Sequence, residues 1–177
     1  MYKQIFLKRG KEESLKRFHP WIFSGAIHHM DEGIEEGETV RVITAAGEFI
    51  GVGHYQIGSI AVRVLSFEDI EINTDFWCER LQSALDVRIG VGIADSPTNN
   101  TYRLVHGEGD YLPGLVIDCY GSTAVMQAHS VGMHVCRNEI CQALVQVMGD
   151  RIANVYYKSE TTLPYKADLH LSLIHIS

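Results

Sequence analysis

Hydrophobic positions alternate along the first part of the chain, which is typical of short β-strands. Segments rich in Val, Ile, Phe and Tyr are separated by glycine-containing breaks and cover residues 3–7, 39–43, 48–55 and 60–67. Residues 11–17 fit one or two helical turns, which must end before Pro20 because the residue preceding a proline avoids the α region. We therefore predict a small, antiparallel β-barrel with one short helix over residues 1–72.

The second part of the chain mixes helical and strand patterns. Apolar residues recur at helical spacing over residues 76–93, with Thr74 and Asp75 available as caps, and again over 134–148, which Gly149 closes. Strands are predicted at 102–105, 115–120, 123–129 and 152–158. The predicted fold class is α+β: the barrel, then an α+β domain at 73–170 with two helices and a small, mainly antiparallel sheet.

The formal net charge of −7 conceals a split along the chain. Residues 1–17 carry +4, whereas the remaining 160 residues carry −11. An acidic body repels a polyanion unless one local face is basic, and residues 1–17 offer such a face. A solvated, lysine-rich helix explains the same charge run equally well.

The composition indicates the class of protein and its cellular compartment. With 46% hydrophobic and 21% charged residues the chain is typical of globular proteins. It has no stretch of 18 uncharged apolar residues and no secretory signal pattern at its start. We therefore predict a cytoplasmic protein that spans no membrane and keeps its four cysteines reduced.

Motifs for catalysis or metal binding are absent from the sequence. The glycine patterns in "GVGHYQIG" and "GEGDYLPG" are not nucleotide-binding turns, and their glycines are predicted to serve turn geometry. No GxSxG, HExxH or CxxC occurs, so no metal site is predicted. Glu108, Asp110 and Asp118 allow a catalytic carboxylate pair, but satisfying backbone donors in a turn is the favoured interpretation. Cys136 and Cys141 are interpreted as small core residues.

Two motifs carry a family resemblance. "HPWIFSGAI" at 19–27, after a basic stretch, and "YRLVHGEGDYLPGLVIDCYG" at 102–121 resemble class I S-adenosylmethionine-dependent large-subunit rRNA cytosine-C5 methyltransferases. "VYYKSE" at 155–160 is a weaker third match, and the resemblance runs from residue 2 to about residue 169. It implies an RNA-binding PUA domain followed by an α+β linker domain.

The resemblance also implies which residues contact RNA. Phosphate contacts are expected from the basic residues of the first segment, and polar or close-backbone contacts from His19, Ser24 and Gly25. The basic residues are Lys8, Arg9, Lys11, Lys16 and Arg17. Trp21 and Phe23 share a face if they lie in a strand, and core anchors of the barrel are favoured over base stacking.

The family's catalytic domain is expected to follow this region. It would hold the S-adenosylmethionine site and the cysteine nucleophile, so no catalytic residue and no cofactor are predicted for this chain, which is expected to be inactive alone. Glu108, Asp110 and Gly114 are predicted to lie at the edge of the catalytic cleft. Residues 171–177 are predicted to be a non-native tail of a truncated parent, the alternative being an apolar strand at a sheet edge.

Two other functions are compatible with the sequence. One is a standalone RNA-binding module, and the other is a protein-interaction domain that uses the acidic loop at 31–38. The predicted partner is large-subunit rRNA, with a homodimer as an open alternative, and no membrane or metal partner is predicted.

Overall fold

A computed structural model of the chain describes residues 2–159, 161–163 and 173–175. The chain divides into two compact units, Met1–Glu71 and Ile72–Ser177. None of the helices in the described ranges is long and apolar enough to cross a membrane.

The first unit is built around a six-stranded sheet. Its strands are β1 (Lys3–Leu7), β2 (Trp21–Phe23), β3 (Ile27–Met30), β4 (Thr39–Ile43), β5 (Phe49–Tyr55) and β6 (Ile60–Ser66). Their order is β2-β6-β5-β4-β1-β3, so β2 and β3 lie at the two ends of a curled half-barrel. A 3-10 turn at Leu15–Arg17 precedes β2.

The core of this unit follows from strand alternation. In β1 the side chains of Ile5 and Leu7 are fully buried, while that of Phe6 between them is partly exposed. The remaining buried residues of this core come from the 3-10 turn and from β2, β4 and β6: Leu15, Ile22, Val40, Val42, Val62 and Val64. Leu15 thereby anchors the basic segment to the sheet.

The structure corrects several details predicted for this unit. The prediction missed β2 and β3, because strands of three or four residues are too short for a period of two to be recognised. The sheet is not purely antiparallel, since β1 and β4 pair in parallel. The helical segment is a single 3-10 turn that begins at Leu15 rather than at residue 11.

The glycines of "GVGHYQIG" lie mostly inside a strand, so the expectation of a turn was wrong for Gly51 and Gly53. Both are buried within β5. A Cβ at Gly53 would lie 2.2 Å from the carbonyl oxygen of Arg63 on β6. Glycine is needed at Gly53 because β6 approaches the backbone of β5 too closely for any side chain.

The second unit is an α+β structure. Its helices are α1 (Thr74–Gly90), α2 (Val131–Val135) and α3 (Arg137–Met148). Its strands are β7 (Thr101–His106), β8 (Leu115–Tyr120), β9 (Thr123–Ala128), β10 (Asn154–Tyr157) and β11 (Leu173–His175), in the order β11-β10-β9-β8-β7. All neighbouring pairs are antiparallel except β9 and β10. The α+β class is thus confirmed in its broad form.

Helix termini in this unit differ from the prediction. The N-cap of α1 is Asn73, whose side-chain oxygen accepts a hydrogen bond from the backbone N–H of Phe76, rather than Thr74 or Asp75. The second predicted helix is two helices that meet at Cys136. The first of them begins at Val131 and is capped by the side chain of Ser130. Gly149 is the C-cap of α3, as predicted, and has a positive φ of 50°.

The predicted tail falls partly outside the described residues. Residues 171, 172, 176 and 177 lie outside them, whereas Leu173–His175 form β11 and pair antiparallel with β10. Strand pairing does not distinguish a native from a non-native segment, so the non-native tail stays a prediction.

Candidate nucleic-acid interface

The basic segment is held in place by the turn at Leu15–Arg17. Leu15 is buried, while Lys16 and Arg17 beside it are exposed. Phe18 ends the turn in the left-handed region, with φ of 61°, and its N–H donates to the carbonyl of Leu15. A bulky residue rarely adopts this backbone conformation. The side chain of Phe18 is 70% exposed. The turn therefore presents cations and an aromatic ring to solvent.

The predicted phosphate-binding residues are all exposed but differ in their partners. Lys16 pairs with Glu13 at 3.0 Å, and this hydrogen bond together with the charge of Glu13 raises the pKa of Lys16. The Nζ of Lys8 donates to the carbonyl of Gly25 at 2.9 Å. In the described part of the chain no ion pair or side-chain hydrogen bond engages the remaining three cations, which are Arg9, Lys11 and Arg17. These three are available to an external anion.

Strand β2 places its aromatic residues differently from the favoured expectation. Ile22, between them, is the buried residue, while Trp21 is half-buried and Phe23 is 51% exposed. Because alternate side chains of a strand face opposite ways, burying Ile22 turns Phe23 outward. The interpretation of Phe23 as a core anchor was therefore wrong. His19 lies against Trp21, with ring centroids 5.8 Å apart, and its Nδ1 accepts a hydrogen bond from the N–H of Trp21.

A pocket of about 310 Å³ lies between the 3-10 turn and β2. Its lining combines apolar, aromatic and cationic groups: Lys11, Ser14, Leu15, Trp21, Ile22, Phe23, Gly25 and Ala26. A Cβ at Gly25 would meet no heavy atom within 4 Å, so packing does not require glycine there. The structure thus brings Lys8, Lys11 and Gly25 together at one opening. Ser24 is exposed beside them, and its N–H donates to the carbonyl of Ser59.

A second concave surface of the same unit contains Arg9. It measures about 520 Å³ and lies between Lys8, Arg9, His28, His29 and the loop after β4. The ring of His29 stacks on Phe6, with centroids 4.2 Å apart. In the sequence these histidines were candidates only for metal binding. Their position beside Arg9 could not be predicted, because the pairing of β1 with β3 creates it.

The acidic loop of the first unit is occupied largely by internal contacts. Glu38 pairs with Lys3 at 3.1 Å, Asp31 accepts from the N–H of Gln4, and Glu36 accepts from the N–H of Ile57. These carboxylates satisfy cations and backbone donors of their own unit. They are consequently less available as a docking surface for another protein.

The predicted cleft-edge residues lie in and after a 3-10 turn at Gly107–Asp110. Asp110 forms a bidentate ion pair with Arg88 at 2.5 and 2.7 Å and also accepts from the N–H of His106. Glu108 is exposed in the same turn. Gly114 has φ of 86°, and a Cβ there would lie 2.6 Å from Oγ of Ser130. Asp110 and Gly114 therefore have clear structural roles.

The second unit also carries a surface pocket of about 830 Å³. Its rim includes the exposed apolar residues Val87 and Val91. Its arginines are neutralised, since Arg88 pairs with Asp110 and Arg103 pairs with Asp118 at 2.7 Å. Although larger, this pocket offers less attraction to a polyanion than the opening in the first unit.

The four cysteines are free thiols in environments that oppose ionisation. Burial raises the pKa of all four, most strongly that of Cys136, to about 11. A nucleophilic cysteine requires a depressed pKa. These thiols therefore have the properties of packing residues.

Comparisons with known proteins agree with this architecture. Residues 5–67 match the model of a PUA-like domain. The chain is 39% identical over 170 residues to the ribosomal RNA large subunit methyltransferase I of Vibrio parahaemolyticus, and 36% identical over 174 residues to that of Escherichia coli. These alignments cover 96% and 97% of this chain but only 42% and 43% of the relatives, so the chain spans about two fifths of their length.

A solved structure from Streptococcus mutans shares the fold. It is described as a candidate SAM-dependent methyltransferase and superposes with a TM-score of 0.76 at 22% identity, over 88% of this chain and 40% of that one. Residues 5–67 thus form a PUA-like domain, and the chain as a whole is homologous to part of the ribosomal RNA large subunit methyltransferases I.

Proposed function

We propose that this chain is the RNA-recognition part of an S-adenosylmethionine-dependent methyltransferase of large-subunit rRNA. Its homology to rRNA methyltransferases over 96% of its length is the observation that carries the proposal. The first unit supplies a physical basis, because Arg9, Lys11 and Arg17 are exposed without a partner in the described ranges. Phosphate contacts of this kind supply most of the affinity for a nucleic acid.

The finer details of the proposal follow from the resemblance. The reaction would produce 5-methylcytosine with S-adenosylmethionine, in the cytoplasm, with the cofactor and the catalytic cysteine held by a domain outside this chain. Glu108, Asp110 and Gly114 would lie at the edge of the catalytic cleft, with Glu108, which is exposed, nearest the RNA.

The proposed RNA contacts can be tested on the chain itself. Fluorescence anisotropy would measure its binding to a structured fragment of large-subunit rRNA, and to duplex DNA, over a series of salt concentrations. We expect salt-sensitive binding that prefers the RNA. Replacing Arg9, Lys11 and Arg17 together by Gln should weaken binding and lower the slope of log K against log salt by roughly 2 to 3.

Lys16 provides the matched control for these substitutions. It lies on the same turn but is already paired with Glu13. Lys16→Gln should therefore reduce the salt slope by less than a substitution of Arg9, Lys11 or Arg17 by Gln. Equal salt slopes for the triple variant and the unchanged chain would contradict the proposed interface. Absence of RNA binding at low salt would favour the protein-interaction domain instead.

A further inference from the structure

We propose that the pocket between the 3-10 turn and β2 receives one unpaired RNA base, which stacks on Phe23. This inference rests on the proposed function and deepens it. It assigns the aromatic residues of the first unit a direct part in RNA recognition, beside the phosphate contacts of the cations.

Phe23 exposes its aromatic ring at the pocket. A buried Ile22 already anchors β2 to the core, so the strand does not need the ring of Phe23 for that purpose. The ring is 51% exposed and lines the pocket next to Trp21. An aromatic face beside a concave surface can gain from stacking on a planar ligand.

The size and lining of the pocket suit a single base. Its volume of about 310 Å³ is at the lower end of the range of about 300–1,000 Å³ typical of sites for small organic ligands. Three small residues, Ser14, Gly25 and Ala26, line the pocket, while Leu15 and Ile22 form buried apolar parts of the lining. A single base fits this description, whereas a paired base within a duplex cannot enter.

Positive charge lies beside the pocket. Lys11 lines the pocket, and Lys8 reaches its rim through the carbonyl of Gly25. A base that enters the pocket is followed by phosphates on both sides, which these lysines are placed to neutralise. The combination of an aromatic platform with a cationic groove is the usual arrangement for single-stranded nucleic acids. Unpaired, splayed bases are also the usual targets of sequence-specific RNA recognition.

The test uses the whole chain and two labelled RNAs: a hairpin with a single-stranded loop, and a fully paired RNA duplex of the same length. Phe23→Leu keeps an apolar side chain but removes the aromatic face. We expect it to weaken binding of the hairpin roughly 5- to 100-fold and to leave the duplex nearly unaffected. Phe23→Tyr retains the ring and should bind like the unchanged chain.

Phe18→Leu is the matched control. Phe18 is exposed in the same unit but does not line the pocket, and it should change hairpin binding less than Phe23→Leu does. Circular dichroism would verify that each variant is folded. Unchanged hairpin affinity of Phe23→Leu, or equal losses for Phe18→Leu and Phe23→Leu, would overturn the assignment of the pocket.

A second measurement needs no substitution. Trp77 is fully buried, so quenching of tryptophan fluorescence by acrylamide reports mainly on Trp21, which lines the pocket. The hairpin should protect Trp21 from the quencher, and the duplex should not. Salt-sensitive hairpin binding without such protection would refute the base pocket alone, whereas a complete lack of RNA binding would refute the proposed function as well.

Discussion

Removing the carboxylate of Asp110 should strongly destabilise the second unit. The side chains of Arg88 and Asp110 are only 13% and 8% exposed, and the pair is bidentate. Asp110→Ala leaves the guanidinium of Arg88 largely buried without its counter-charge and removes the acceptor for the N–H of His106. Breaking a buried pair on one side costs about 3–5 kcal/mol. Arg88 keeps its bond to the carbonyl of Arg103, which favours the lower end of that range.

Urea denaturation followed by tryptophan fluorescence would measure this loss for the second unit alone. The chain has two tryptophans, Trp21 in the first unit and Trp77 in the second. In a Trp21→Phe background the signal comes from Trp77, which is fully buried on α1. The free energy of unfolding is then obtained from the midpoint and slope of a single unit.

A double variant separates charge burial from a general loss of contacts. Arg88→Met with Asp110→Ala leaves no unpaired charge, so it should be more stable than Asp110→Ala alone by about 1–2 kcal/mol. Additive losses, or an Asp110→Ala chain within about 1 kcal/mol of the unchanged chain, would refute the structural role of the pair. The second result would strengthen the prediction that Asp110 serves the catalytic cleft.

Three further predictions concern the packing of both units. Gly53→Ala should destabilise the first unit by roughly 3 kcal/mol, because the added Cβ would overlap the carbonyl of Arg63. Gly25→Ala, whose Cβ meets no heavy atom within 4 Å, should hardly change the free energy of unfolding, and the urea midpoints of the two variants would test the difference. Burial lowers the pKa of His54 to about 4 in the folded chain. As the pH falls below about 6.5, the imidazole of the unfolded chain is therefore protonated before that of the folded chain. The free energy of unfolding should decline by about 3 kcal/mol between pH 6.5 and pH 4. A His54→Gln chain that shows the same pH dependence of unfolding would contradict this. Burial raises the pKa of Cys136 to about 11, so its thiol should resist iodoacetamide in the folded chain at pH 8 and react after unfolding. Mass spectrometry would measure the labelling, and full labelling of Cys136 in the folded chain would refute this prediction.

Local patterns in the sequence were sufficient for the long elements. The apolar spacing of α1 and the alternation in β1, β4, β8 and β9 predicted these elements to within a few residues. The basic residues at the start of the chain were also identified, because a run of like charge is visible without any fold. Both kinds of signal depend only on neighbours along the chain.

The candidate site could be predicted only in part. The exposure of Phe23 depends on which residue of a three-residue strand faces the core, and only the packing of Ile22 against that core decides it. Two further features likewise depend on side-chain positions: Lys16 pairs with Glu13, and Lys11 has no partner among the residues that the structure describes. The sequence shows which residues are charged, but only the folded surface decides which of these charges an external anion can reach.

The sequence by itself therefore determined the α+β class, the basic character of residues 1–17 and the motifs that indicate an rRNA methyltransferase. Only the tertiary structure decided that Gly53 serves a close strand contact, that Asp110 is bound to Arg88, and that Phe23 lines an open pocket. The physical reason is that each of these features joins segments far apart along the chain. Their contacts exist only after the strands have paired and the core has excluded water.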